Sequence, residues 1–216
     1  MTTKFDPDQF IAGIRTAQQP VTIFQAADVA GRLKAVEDDL ALFADSGEEQ
    51  TLDAGAEKSE LLEKQARLQA ELQDSAVEFI VQALEQDKIE EISKEARQAA
   101  KERADQASKD AAGYAREECK RSEVSDPKEI KEAVRRAASN ASGAILQKEA
   151  GIHILSHAIV TDTGDRAFTP KQMRVVAEKL GQPQMEKLYA AFYDLTSTDP
   201  GSFIPKSSKP GRTDEG

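Results

Sequence analysis

Between Ile92 and Tyr114 the chain runs for 21 residues without one large apolar side chain. Neither a packed strand nor an ordinary core helix is built that way, because such a segment removes little apolar area from water. Alanines nevertheless recur at Ala96 and Ala99, then at Ala100, Ala104, Ala107 and Ala111, and the series ends at Tyr114, the spacing of a coiled-coil seam. Charge fills the remaining faces, with 11 acidic and 9 basic residues between Glu85 and Glu123. Ser125-Asp126-Pro127 supplies a turn, a cap and a Pro at the first helical position, and Glu129 is placed for a capping box. The helix that follows carries Ile130, Val134, Ala137, Ala141 and Ile145 at similar spacing. Complementary small-residue seams predict an antiparallel hairpin with arms roughly 50 Å long at about 1.5 Å per residue. The alternative is a single solvated helix held by intrahelical ion pairs. Either form is weakly stable, since a buried methyl contributes about 0.8 kcal/mol against about 1.5–3 for a leucine.

The flanking segments have ordinary patterns. Val21-Thr-Ile-Phe24 reads as a short strand, and Asp28 can cap a helix over about 27–44 whose apolar seam is Val29, Leu33, Val36, Leu40 and Phe43. An acidic loop of about a dozen residues leads to a second helix over about 56–74, with Leu61, Leu68 and Leu72 on one face. Val77, Phe79 and Val81 then alternate with polar or outward positions, predicting a strand over 77–82 that pairs with 21–24 as a two-stranded element at the base of this first hairpin. Gly151 is expected to interrupt the chain before an apolar helical piece over Ile152–Val160. Thr169-Pro170-Lys171-Gln172 is a second capping-box sequence, opening a helix with Met173, Val176 and Leu180 inward. A last helix from Pro183 presents Leu188, Tyr189, Phe192 and Leu195.

The fold class expected is therefore mainly α, with helical hairpins, a small two-stranded β element and a C-terminal helical bundle. The organisation is an N-terminal arm (1–19), a hairpin with its sheet (20–84), the long charged hairpin (85–150), a C-terminal helical segment (151–196) and a flexible tail (197–216).

Composition narrows function mostly by exclusion. Of the hydrophobic residues 33 are Ala, which leaves enough large ones for one or two small cores. No apolar run reaches the 18 or so residues of a membrane helix, and the first residues have no signal-peptide core. A single cysteine, Cys119, fits a reducing compartment. Net charge is −10, with ten acidic residues and one basic, Lys58, between positions 37 and 63. That balance argues against a nucleic-acid partner. His153 and His157 stand four apart on a helix, but Ile154 follows the first where a zincin has Glu, so they read as ordinary helix-face histidines. Asp162-Thr163-Gly164 matches the aspartic-protease triplet in sequence only and reads as a turn. No phosphate loop, nucleophile elbow or cofactor motif is present, and no enzyme is expected.

A set of phrases in fixed order carries a resemblance: Val21-Thr-Ile-Phe24 before Ala26-Ala-Asp28, Leu33-Lys-Ala-Val-Glu-Asp-Asp-Leu40, Phe79-Ile-Val81, Thr169-Pro-Lys-Gln-Met173, Leu180-Gly-Gln-Pro-Gln184 and Lys187-Leu-Tyr-Ala-Ala191. Over about 20–84 and 140–196 the chain resembles the tail assembly chaperones of tailed phages of actinobacteria. The resemblance implies a non-enzymatic factor in the host cytoplasm. Its partners would be the long helical tape measure protein and the tail tube protein, with self-association and a longer frameshifted form as further expectations. The residues best placed to meet a client are Leu188, Tyr189, Phe192 and Tyr193 of the last helix, for which core packing is the plainer reading, and Ala104, Ala107 and Ala111 of the charged hairpin. The alternative function is a structural virion, scaffold or connector protein, and a nucleic-acid-associated coiled coil is a third.

Overall fold

The computed structural model describes residues 6–46 and 52–197. In chain order these form α1 (Pro7–Gly13), β1 (Gln18–Phe24), α2 (Ala27–Ser46), α3 (Leu52–Asp74), β2 (Ala76–Gln82), α4 (Gln86–Arg121), α5 (Pro127–Ala158), β3 (Ile159–Val160), α6 (Pro170–Leu180) and α7 (Gln182–Ser197). The protein is mainly α with one small antiparallel sheet, as its patterning requires. The expected tail from 198 onward and the middle of the acidic loop, 47–51, lie outside the described residues.

The sheet has three strands rather than two, in the order β1-β2-β3. Val21 faces Phe79 and Ile23 faces Val77 across β1 and β2, while Ile80 and Val81 pair with Val160 and Ile159. β1 also begins earlier than its apolar core, at Gln18, because Gln18 and Gln19 continue the ladder opposite Gln82 and Val81. β3 comes from the stretch expected to be the end of a helix. Two β-branched residues in sequence, Ile159 and Val160, are both buried and leave the helix to cover the second edge of β2. The bonds from Ala83 N to Ala17 O and from Gln25 N to Ser75 O put the odd-numbered residues of β1 in register with β2. Pro20 therefore lies on the outer edge, where its missing N–H leaves no ladder donor unpaired. The carbonyl of Phe24 on that edge accepts from Gln184 Nε2 at 3.4 Å.

The first hairpin buries Val29, Val36 and Leu68, with Leu33, Leu40, Leu61 and Leu72 packed around them. Its helices are longer than the periodic residues alone define: α2 runs to Ser46 and α3 begins at Leu52. Arg32 of α2 reaches Glu71 of α3 at 2.9 Å and pins the register of the pair.

The main core lies between the sheet and the last three helices. Ile23, Val81, Ile152, Leu155, Ile159, Met173 and Leu188 are its most enclosed side chains. Phe79 meets Phe168 edge-on with ring centroids 5.4 Å apart. Thr169 and Gln172 form the reciprocal capping box their spacing calls for. At the start of α5, Asp126 accepts from Lys128 N, whereas Glu129 does not complete a box.

Gly151 does not interrupt the chain, because α5 runs through it without a break to Ala158. A β-carbon built there would sit 2.8 Å from the hydroxyl and 3.0 Å from Cε1 of Tyr189. The glycine is a landing place for an aromatic ring of α7 rather than a helix stop. Gly151→Ala should therefore destabilise the protein by about 1–2 kcal/mol in urea unfolding, despite the ~1 kcal/mol helix-propensity gain of alanine. In a Tyr189→Leu background the same change should become neutral or stabilising.

Candidate functional site

α4 and α5 lie antiparallel along most of their length, so the charged segment is the hairpin and not a lone helix. Its buried line on α4 is Ile92, Ala96, Ala100 and Ala104, a strict four-residue row. Ala99 falls off this row and is exposed, and Tyr114, expected to close the seam, is 74% exposed. A row of methyls lets the helices approach closely but interdigitates little. Beyond Ala104 the seam is less enclosed, with Ala107 and Ala111 half-buried, although Cys119 near its far end is buried.

α5 runs on into the main core through Ile152, Leu155 and Ala158, and just before them a buried carboxylate ties α4 to the bundle. Glu149 of α5 is 1% exposed, and its two carboxylate oxygens accept from Arg103 of α4 and Arg174 of α6. His153, one turn further along α5, places Nε2 3.4 Å from Oε1 of Glu149. Burial by itself would push this carboxyl up, but hydrogen bonds and charge from Arg103 and Arg174 outweigh it and hold Glu149 below the usual carboxylate range. His153 Nδ1 and Arg174 Nε are buried without a hydrogen-bond partner among the described residues. The cluster is not written in any local motif, yet it has a sequence signal: Glu149 stands four after Ile145 and three before Ile152, in the apolar phase of α5. A carboxylate in that phase must find cations.

His157, the next histidine on this helix, is half-buried and pushed down to about 4, mainly by burial, then by Arg166, Lys88 and His153, against the opposing charge of Glu95. Neither histidine belongs to a group of three or more potential metal ligands among the described residues. Asp162, Thr163 and Gly164 form a turn closed by Thr161 N to Asp165 O at 2.8 Å, with Gly164 at φ 84°.

The residues expected to meet a client fall into two separate places. Leu188 is fully enclosed in the main core, Tyr189 packs on α5 at Gly151, and Phe192 lies half-buried against the same core. Tyr193 alone of the four faces solvent, at 68% exposed. Ala104, Ala107 and Ala111 line the hairpin seam. On the α4–α5 surface beside Ala104 lies an open groove of about 320 Å³ bordered by Lys94, Arg97, Lys101 and Leu146. Its three cations have no ion-pair partner among the described residues, while Lys88, Arg103 and Arg121 of the same helix are paired. Among the described residues no helix is long and apolar enough to cross a membrane.

Comparison with protein-family models, with curated proteins and with solved structures finds no match for this chain.

Two enclosed groups, His157 and Glu149, make stability fall with acid. A folded pKa below the unfolded one contributes stability that is complete above the unfolded value and disappears as pH drops through the folded one. For His157 that window runs from 6.5 down to about 4, and Glu149 adds its loss below the ordinary carboxylate range. The melting temperature should fall steadily from pH 6.5 to pH 4, and His157→Gln should flatten the upper part of that slope. Glu149→Gln should destabilise by about 2–4 kcal/mol at neutral pH, since it leaves two arginines without their carboxylate. Arg103→Gln should have the smaller effect of the two arginine changes, because its side chain is half exposed against 31% for Arg174.

Proposed function

We propose that this protein is a non-enzymatic tail assembly chaperone that holds a tape measure protein during phage tail morphogenesis. The observation that carries the reading is the α4–α5 hairpin, a pair of helices about 50 Å long whose α4 seam beyond Ala104 presents the half-buried alanines Ala107 and Ala111. A seam of that kind separates at little free-energy cost, because methyl contacts contribute so little each. A long amphipathic client helix can then lay its apolar ridge between or beside the arms, as helices do in grooves. Charge on the outer faces of both arms keeps the loaded hairpin in water. The ordered phrases at 20–84 and 169–191 support the same reading, and they fall on the first hairpin, the sheet and the bundle from which the charged hairpin extends.

Within this reading, Ala104, Ala107 and Ala111 are the contact residues of the seam, with Tyr114 and Tyr193 as exposed aromatic contacts. Leu188, Tyr189 and Phe192 support the bundle beneath. The tail tube protein is a second partner, recruited once the client is bound, and a longer form would arise by frameshifting near the end of this reading frame.

The test is affinity capture of the tagged protein expressed with its native downstream DNA in infected or induced cells, read by mass spectrometry. Recovery of a very long helical phage protein, together with peptides of an extended form of this chain, is the expected result. Recovery of capsid or portal proteins in its place would assign the molecule to the virion structure and overturn the proposal. Ala107→Glu/Ala111→Glu should abolish recovery of the client while leaving the helical circular dichroism unchanged.

A further inference from the structure

We infer that the groove beside Ala104 on the α4–α5 hairpin docks one amphipathic helix of the client, and that this helix carries carboxylates along a single border of its apolar ridge. Who supplies the helix rests on the proposed chaperone reading, whereas its chemistry follows from the groove alone.

One wall of the groove is basic. Lys94, Arg97 and Lys101 follow one another at spacings of three and four residues, so they share a face of α4 and form one edge. All three are exposed, and none has an ion-pair partner among the described residues. Arg97 and Lys101 are like charges four apart, an arrangement that destabilises a helix slightly and that an anionic partner relieves. Carboxylates on this face stand at the two ends of the edge: Glu90, which accepts from Gln86 Nε2 at 3.3 Å, and Asp105.

The opposite wall is neutral. Ser142 and Leu146 of α5 belong to a run of eleven residues, 137–147, without a charged side chain, in a chain of which 31% is charged. Between the walls, Ala104 and Leu146 give an apolar floor.

Two unlike walls decide what fits. A helix whose apolar ridge rests on Ala104 and Leu146 needs carboxylates where it borders α4 and none where it borders α5. From Lys94 to Asp105 α4 advances about 16 Å, so the docked segment is about three turns long. Contacts of that size are transient, which suits a client that is later handed on. A nucleic acid fits less well, because three cations bounded by Glu90 and Asp105 offer few phosphate contacts, the floor is apolar and the chain carries a net charge of −10.

Fluorescence anisotropy on the full chain, with three labelled probes, tests this. The first probe is a synthetic helical peptide with a leucine ridge and glutamates along one border. The second has lysines in place of those glutamates, and the third is a DNA oligonucleotide. The first should bind the wild-type protein, less tightly as salt rises, and the other two should not. Lys94→Glu/Lys101→Glu should weaken the glutamate peptide roughly tenfold or more and should now bind the lysine peptide, an exchange that loss of structure does not produce. Circular dichroism checks the fold; should the reversal misfold, Lys94→Gln/Lys101→Gln should weaken the glutamate peptide in the same direction. A wild-type protein that does not bind the glutamate peptide, binds both peptides alike or prefers DNA overturns the assignment. So does a charge reversal that leaves the preference unchanged. Affinity capture from infected cells separates this assignment from the chaperone reading. Capture of the long phage protein by the wild type and its loss with the charge reversal is the expected result. Equal capture by both overturns the groove assignment alone, whereas binding of the glutamate peptide without any such capture by the wild type overturns the chaperone reading and leaves the groove's chemistry supported.

Discussion

The organisation of the molecule turns on one buried carboxylate. Glu149 is where the long hairpin, the chain's largest element, meets the bundle that contains its main core. The alanine row Ile92, Ala96, Ala100 and Ala104 repeats every four residues, so sliding α4 by one turn along α5 would present nearly the same surface. Methyl groups do not resist such a slip. The Arg103–Glu149 pair does, because displacing Arg103 takes a cation from a carboxylate enclosed in the fold. Arg174 adds the third direction, fixing α6 against the same point. The cluster therefore contributes register more than net stability, as buried ionic groups do where a seam lacks shape of its own.

Stability and exposure are divided unevenly as a result. The sheet, the end of α5 and the last two helices enclose large side chains, whereas beyond Ala104 the hairpin leaves Ala107, Ala111, Val134 and Ile145 half-buried and encloses Cys119. Local opening follows the number of buried apolar contacts, so the distal hairpin is the part that separates first while the bundle remains folded. A protein that must expose helical surface without unfolding benefits from that division. The acid-sensitive groups lie on the opposite, well-packed end of α5, so falling pH acts on the anchor rather than on the arms.

Much of this was legible in the chain. Periods of three and four over 29–43 and 61–72, alternation over 77–81 and the capping residues at 126 and 169 locate the helices and the central strand, because each reflects purely local geometry. Three features were not. Gly151 reads as a stop until Tyr189 is seen lying on it, and Ile159–Val160 reads as helix until the open edge of β2 claims it. Leu188, Tyr189 and Phe192 form an apolar face whose destination, core or partner, periodicity does not distinguish. Glu149 was visible as a charge in an apolar phase, but Arg103 and Arg174 lie 46 and 25 residues away along the chain.

The sequence by itself determined that this chain is mainly helical, that residues 93–113 carry no large apolar side chain, and that its acidic excess is concentrated in the first hairpin. Those properties depend on neighbours within a turn or two of helix. Only the tertiary structure decided which cations neutralise Glu149, which strand edge is covered, and which of the exposed charges line one groove. Each of those depends on distances between residues far apart in sequence, and local periodicity carries no information about them.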